Sequence, residues 1–236
     1  MQKNEELKIP IVGYSVAADW YEGKTTDKVL LVLIGYDSNR GKQQDLISSI
    51  VEGSGHSVLV FDFSGMGDST FELDDTRPAQ HFLETIHAFD WLREKYPKAD
   101  ISVIGSSYGG YMAAVLTEYR KFSKLILRAP AIYVAEAFYD LQPNVHTEEG
   151  RQIRSATDDL KKHPLLTQAS NFKGKTMVVA HGRDDLIPVE LTDAYAKAFG
   201  ADTYTQPEFT HSLGDPSNPE DKFEEYQQAI ANWLNK

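Results

Sequence analysis

Ser107 lies within Gly105-Ser106-Ser107-Tyr108-Gly109, a Gly-x-Ser-x-Gly pattern between two apolar runs. Ile101–Ile104 reads as a buried strand, and Tyr111–Leu116 as the first turns of a helix. Glycines let the chain turn sharply there without a Cβ clash, so Ser107 is expected to sit strained and exposed at the strand tip. A serine so placed is a nucleophile if a base takes its proton and an acid orients the base. Two later stretches offer both. His181-Gly182-Arg183-Asp184-Asp185-Leu186-Ile187-Pro188 follows a strand and carries two adjacent aspartates. Phe209-Thr210-His211-Ser212 follows the last strand and carries a histidine. The chemistry this predicts is acyl transfer. His211 takes the Ser107 proton as general base and returns it to the leaving group, while an aspartate fixes the imidazole tautomer. Asp184 and Asp185 are both open as that acid.

These residues need a scaffold that brings distant segments together. Val29–Ile34, Ser57–Asp62, Lys124–Arg128 and Thr176–His181 are apolar runs of strand length, as expected of strands buried on both faces of a parallel sheet. Helical patterns separate them, over Lys42–Glu52, from Pro78 to Pro97 and over Val189–Phe199. Ile9–Trp20 alternates loosely and predicts two antiparallel edge strands. Thr203–Gln206 is a late strand and Glu220–Leu234 a final helix. Alternation of this kind predicts an α/β fold: a mostly parallel sheet with right-handed crossovers and helices on both faces, over 1–236 as a single domain. One stretch breaks the rhythm. Ile132–Phe172 has no strand pattern, so some forty residues form an excursion that reads as a small lid. It carries Tyr133, Phe138, Tyr139 and His146, then a charged helical piece from Arg151 to Lys162. Its aromatic residues suit an acyl or aryl pocket or packing of the lid on the core, and assign no substrate.

Composition removes several classes of function. With 236 residues, 41% of them hydrophobic and 25% charged, the chain can bury a large core and stay soluble. A net charge of −11 with no basic stretch argues against nucleic acid or an anionic membrane as partner. No apolar run approaches the roughly 20 residues needed to cross a bilayer. The absence of cysteine excludes thiolate catalysis and disulfides and fits a reducing compartment. Met1–Glu6 lacks the basic start and apolar run of a signal peptide, so a cytoplasmic location is expected. No metal-ligand spacing stands out, and a serine mechanism calls for no metal and no cofactor. Gly65-Met66-Gly67-Asp68-Ser69 lacks the phosphate-loop pattern and reads as a tight turn. His56, His81, His87, His163 and His181 have no place in the scheme and read as structural.

Five ordered motifs carry a resemblance. They are Ile34-Gly35-Tyr36, Phe61-Asp62-Phe63-Ser64-Gly65-Met66-Gly67-Asp68-Ser69, the Ser107 turn, the His181–Pro188 stretch and His211. Together they span most of the chain, and they resemble the α/β-hydrolase superfamily of serine hydrolases. The resemblance is greatest to its small-lidded carboxylesterase, feruloyl (cinnamoyl) esterase and monoacylglycerol lipase-like branch. It implies the α/β-hydrolase fold, a small-molecule ester substrate and an oxyanion hole made by the backbone N–H groups of Tyr36 and Tyr108. Two departures stand out. The usual His-Gly before the oxyanion residue is Ile34-Gly35 here, which spares a backbone donor. The acid stretch is one residue short between Gly182 and Pro188. Counting from Gly182 selects Asp185, and counting back from Pro188 selects Asp184. Asp185 is preferred, on the expectation that the turn leaving the strand tolerates shortening less than the start of the helix. Other readings keep the triad and change the bond, to peptide or thioester, or make the chain a non-catalytic binding protein of the same fold.

Overall fold

A computed structural model describes residues 5–236. Eight strands form one sheet: β1 (Glu5–Pro10), β2 (Ser15–Tyr21), β3 (Lys28–Leu33), β4 (Ser57–Phe61), β5 (Asp100–Ser106), β6 (Lys124–Arg128), β7 (Lys175–His181) and β8 (Asp202–Gln206). Their spatial order is β1-β2-β4-β3-β5-β6-β7-β8. β1 and β2 form an antiparallel hairpin, β2 pairs antiparallel with β4, and every other pair is parallel. Every residue of β4, and all of β3 beyond Lys28, is buried, because helices cover the sheet on both faces. Those helices are α1 (Gln44–Ser54), α2 (Pro78–Lys95) and α3 (Tyr108–Leu116), then α4 (Gln142–Val145), α5 (Glu148–Gln152), α6 (Thr157–Lys162) and α7 (Pro164–Gln168) in the excursion, and finally α8 (Val189–Phe199) and α9 (Phe223–Leu234). Helix α1 packs on α9, and α2 on α3. Among the described residues no helix is long and apolar enough to cross a membrane.

The strand order fixes where a site can form. From β3 the chain crosses to β4 on one side, then returns past β3 to β5 on the other. Right-handed crossovers therefore put α1 and α2 on opposite faces. A crevice opens at that reversal, between the carboxyl ends of β3 and β5. Gly35 and Tyr36 leave one of these strands, and Ser107 leaves the other.

Arg40 pins the β3–α1 segment. It is 5% exposed and pairs with Asp62, with Asp19 at 3.1 Å, with Glu6 at 3.0 Å and with Asp68 at 2.9 Å. Its backbone N–H donates to Asp62 Oδ1 at 2.7 Å. Asp62 is wholly buried at the end of β4, so removing the guanidinium leaves a carboxylate with neither water nor counter-charge. Arg40→Met is expected to cost about 3–5 kcal/mol of stability, read by urea unfolding.

The excursion differs from its expected form. In place of one charged helix from Arg151 to Lys162, α5 and α6 are separated by a 3-10 turn over Ile153–Ser155. Arg154 sits in that turn and is buried.

Candidate active site

The turn from β5 into α3 works only with glycine at two points. A Cβ on Gly105 would stand 2.2 Å from the Gly109 carbonyl oxygen, and one on Gly109 would stand 2.3 Å from that of Leu33. Strand and helix are thereby pressed together, and the residue between them takes the strain. Ser107 has φ 51° and ψ −113°, left-handed backbone that costs a non-glycine residue about 1–3 kcal/mol. Three hydrogen bonds hold it there. Its N–H donates to the Arg128 carbonyl at 2.9 Å, and its carbonyl accepts from Ala131 at 3.0 Å and Tyr111 at 3.1 Å.

Ser107 Oγ meets His211 Nε2 at 2.9 Å, and His211 Nδ1 meets Asp184 Oδ2 at 2.8 Å. The other Asp184 oxygen accepts backbone N–H groups of Leu186 at 2.9 Å and Ile187 at 2.8 Å. The Asp184 carboxylate is 1% exposed, against 18% for the His211 ring. Burial alone would raise its pKa, but the hydrogen bonds and charge of His211 and the two N–H donors hold it below the usual carboxylate range. An ionised Asp184 only accepts, so Nδ1 carries the imidazole proton and Nε2 is free to accept from the Ser107 hydroxyl.

The expectation that Asp185 would stand at His211 is not met. Asp185 is exposed, and Asp184 makes the contact. The reason lies in its second oxygen. By accepting from Leu186 and Ile187, Asp184 fixes the path into Pro188 and α8. Its spacing to Pro188 is therefore rigid, and the missing residue is absorbed nearer the strand, where the Asp184 N–H closes a turn on the His181 carbonyl at 3.4 Å. Asp184 thus both orients His211 and closes the loop into α8.

Tyr108 and Tyr36 flank the serine. Tyr108 is the first residue of α3, so its N–H has no intrahelical acceptor. Gly35 packs against the Ser107 side of the turn, and a Cβ there would lie 3.8 Å from Ser107 Cβ. The Tyr36 ring stacks on His146 at 3.6 Å between centroids. The Tyr108 side chain is wholly buried and reaches His81 Nδ1 at 2.8 Å. His81 Nε2 faces the Ser64 carbonyl at 2.9 Å, which only accepts, so Nε2 bears the proton and Tyr108 donates to Nδ1. Burial lowers the pKa of His81 to about 4 and keeps it neutral. Gln142 of α4 donates to the Tyr108 hydroxyl at 3.0 Å and accepts from His146 Nε2 at 3.0 Å, tying the excursion to the serine turn.

Three other histidines have structural partners: His56 with Ser54 Oγ at 2.8 Å, His163 with the Tyr133 carbonyl at 2.8 Å, and His181 with the Tyr226 hydroxyl at 3.0 Å. Among the described residues no three His, Asp or Glu cluster as a metal site.

A cleft of about 840 Å³ opens over Ser107 and His211. Tyr36, Tyr133, His146 and Leu186 give it apolar walls, and Arg128, Arg151 and Arg154 line it too. Of Tyr133, Phe138 and Tyr139 in the excursion, Tyr133 lines it. Phe138 packs edge-on against Phe82 at 5.7 Å, and Tyr139 is 73% exposed.

Asn218 carried no signal in the sequence. It is 4% exposed, accepts from the Thr210 N–H at 2.8 Å and donates to the Ser212 carbonyl at 2.8 Å. It thus braces both residues that flank His211. Asn218→Ala is expected to lower kcat about 10- to 100-fold at unchanged far-ultraviolet circular dichroism, since a small displacement of the base is costly.

A family model described as serine aminopeptidase, S33, matches residues 24–196. An uncharacterized protein of Mycobacterium tuberculosis is 27% identical over 186 residues, covering 76% of this chain and 61% of that protein. The chain thus spans about three fifths of the length of that relative. The structure of the Pyrococcus furiosus esterase Pf2001 aligns with a TM-score of 0.71 at 20% identity, over 98% of this chain and 91% of that one. Est1E of Butyrivibrio proteoclasticus, solved with ferulic acid bound, aligns with a TM-score of 0.74 at 17% identity, over 97% and 98%. The sheet order and these alignments are those of the α/β-hydrolase fold.

Proposed function

Because the chain belongs to the serine aminopeptidase, S33, family of α/β-hydrolases, we propose that it is a serine hydrolase that cleaves carboxylic esters through Ser107, His211 and Asp184. The observation that carries this reading is the unbroken pair of hydrogen bonds from Ser107 Oγ through His211 to Asp184. Ser107 Oγ attacks the ester carbonyl as its proton passes to His211 Nε2. Asp184 holds the imidazolium that forms. The N–H groups of Tyr108 and Tyr36 take the oxyanion, usually the largest electrostatic contribution in such a site. His211 then protonates the leaving alcohol, an acyl-enzyme remains on Ser107, and water repeats the steps to release the acid. Residues 132–172 act as a lid over the acyl-enzyme.

The family description makes aminopeptidase the second reading. An aminopeptidase must receive a cationic α-amino group, which a desolvated carboxylate would match. The cleft's carboxylates, Asp37 and Asp45, are exposed, whereas Arg128 and Arg154 are its buried charges. That polarity favours a neutral or anionic substrate. The discriminating experiment is a panel of 4-nitrophenyl esters, aminoacyl anilides and acyl-CoA thioesters on the purified protein. Ester turnover that exceeds anilide turnover supports the reading; anilide turnover alone replaces it with the peptidase.

A further inference from the structure

Arg154 is a cation buried in the cleft, and the carboxylate whose charge it feels, Asp184, is committed to His211. It is 5% exposed. Its Nη1 donates to the Leu186 carbonyl at 3.2 Å, and its guanidinium stands 5.3 Å from the centre of the Tyr133 ring. Its Nε is buried with no acceptor. No carboxylate among the described residues forms an ion pair with it. Its nearest charged neighbour on the chain aggravates this. Arg151, one helical turn earlier, lines the same cleft and repels it. Burial, the largest influence, lowers the Arg154 pKa and Arg151 adds to it, while Tyr133, Tyr195 and the Asp184 carboxylate oppose them.

Folding does not need this arrangement. A guanidinium whose only task was to cap the Leu186 carbonyl would not need burial, an empty Nε and a second arginine beside it. A guanidinium takes a carboxylate through two parallel N–H bonds, and Arg154 lines the cleft in which such a group would lie. Arg128, at the end of β6, lines the same cleft. It is 8% exposed, donates Nε to Ser106 Oγ at 2.8 Å and leaves Nη1 without an acceptor. The cleft lining carries Lys42, Arg128, Arg151 and Arg154 against Asp37 and Asp45, so it is locally positive on a chain whose net charge is −11.

We propose that Arg154, with Arg151 beside it, forms an anion subsite in the cleft, and that the ester cleaved at Ser107 carries a free carboxylate elsewhere in the molecule. The substrate class is thus the monoester of a dicarboxylic acid, or an ester whose alcohol part bears a carboxylate. The inference rests on the esterase reading for its chemistry and on Arg154 for its selectivity.

Two matched pairs test it. On the acyl side, 4-nitrophenyl hydrogen glutarate is compared with 4-nitrophenyl methyl glutarate. On the alcohol side, 3-acetoxybenzoate is compared with its methyl ester. At least one acidic member should exceed its neutral partner tenfold or more in kcat/KM. That preference should collapse toward unity in Arg154→Met and persist in part in Arg154→Lys, whose charge is kept. If Arg154→Met does not fold, the wild-type ratios and the Arg154→Lys ratio decide. Hydrolysis of both pairs without acid preference, or a preference that survives Arg154→Met, overturns the subsite and leaves the esterase reading standing. If no ester is cleaved, the esterase reading fails on its own, and calorimetry with glutarate decides the subsite. Binding by wild type that Arg154→Met loses supports it; no binding overturns it. Tighter binding of inorganic phosphate than of glutarate overturns the carboxylate assignment.

Discussion

Asp184→Asn should lower kcat for a 4-nitrophenyl ester roughly ten-thousand-fold, while Asp185→Asn changes it less than about threefold. The difference follows from the hydrogen-bond inventory of an amide. Asp184 accepts at both oxygens, from His211 Nδ1 on one side and from Leu186 and Ile187 on the other. An asparagine keeps one accepting oxygen, which the two backbone donors claim. Its NH2 group then faces His211 and can only donate. That forces the proton from Nδ1 to Nε2, and an imidazole protonated at Nε2 cannot take the proton of Ser107. Fold and cleft remain, so KM should change far less than kcat. Asp185 points into solvent and offers no such leverage. Equal losses in the two variants would remove Asp184 from its proposed role.

Ser107→Ala is the second large effect, a loss on the order of a million-fold in kcat. It should leave stability unchanged or slightly higher. Alanine at φ 51° bears the same backbone strain, and it removes only a hydroxyl whose partner is a half-buried imidazole. Steady-state turnover and thermal melting on the same preparation separate loss of chemistry from loss of fold. A variant that melts like wild type and still turns over the ester contradicts the nucleophile.

The strands were readable because burial on both faces demands continuous apolar runs, and Leu30 to Ile34 or Val58 to Phe61 supply them. The serine turn was readable because close packing of strand and helix admits only glycine at Gly105 and Gly109. His211 was readable from its place after the last strand. The choice between two adjacent aspartates was not. It is decided by which one closes the loop into α8, through backbone hydrogen bonds that leave no trace in residue type. Arg154 was hidden for another reason. Arg151, Gln152 and Ser155 beside it read as a solvated stretch, whereas Tyr133 and Leu186 approach it from other segments. Asn218 and Gln142 share that character. Each is a buried polar residue whose partners lie across a loop or on another element, and no local pattern announces them.

The central claim is that Ser107 is an activated nucleophile. Reaction with a fluorophosphonate tests it most directly, because covalent capture needs the serine, its base and the oxyanion donors together, and needs no knowledge of the substrate. The account predicts stoichiometric labelling of the folded protein, with the adduct on the peptide that contains Ser107 and none in Ser107→Ala. Folded wild-type protein that resists the probe, or a label on another residue, would contradict it.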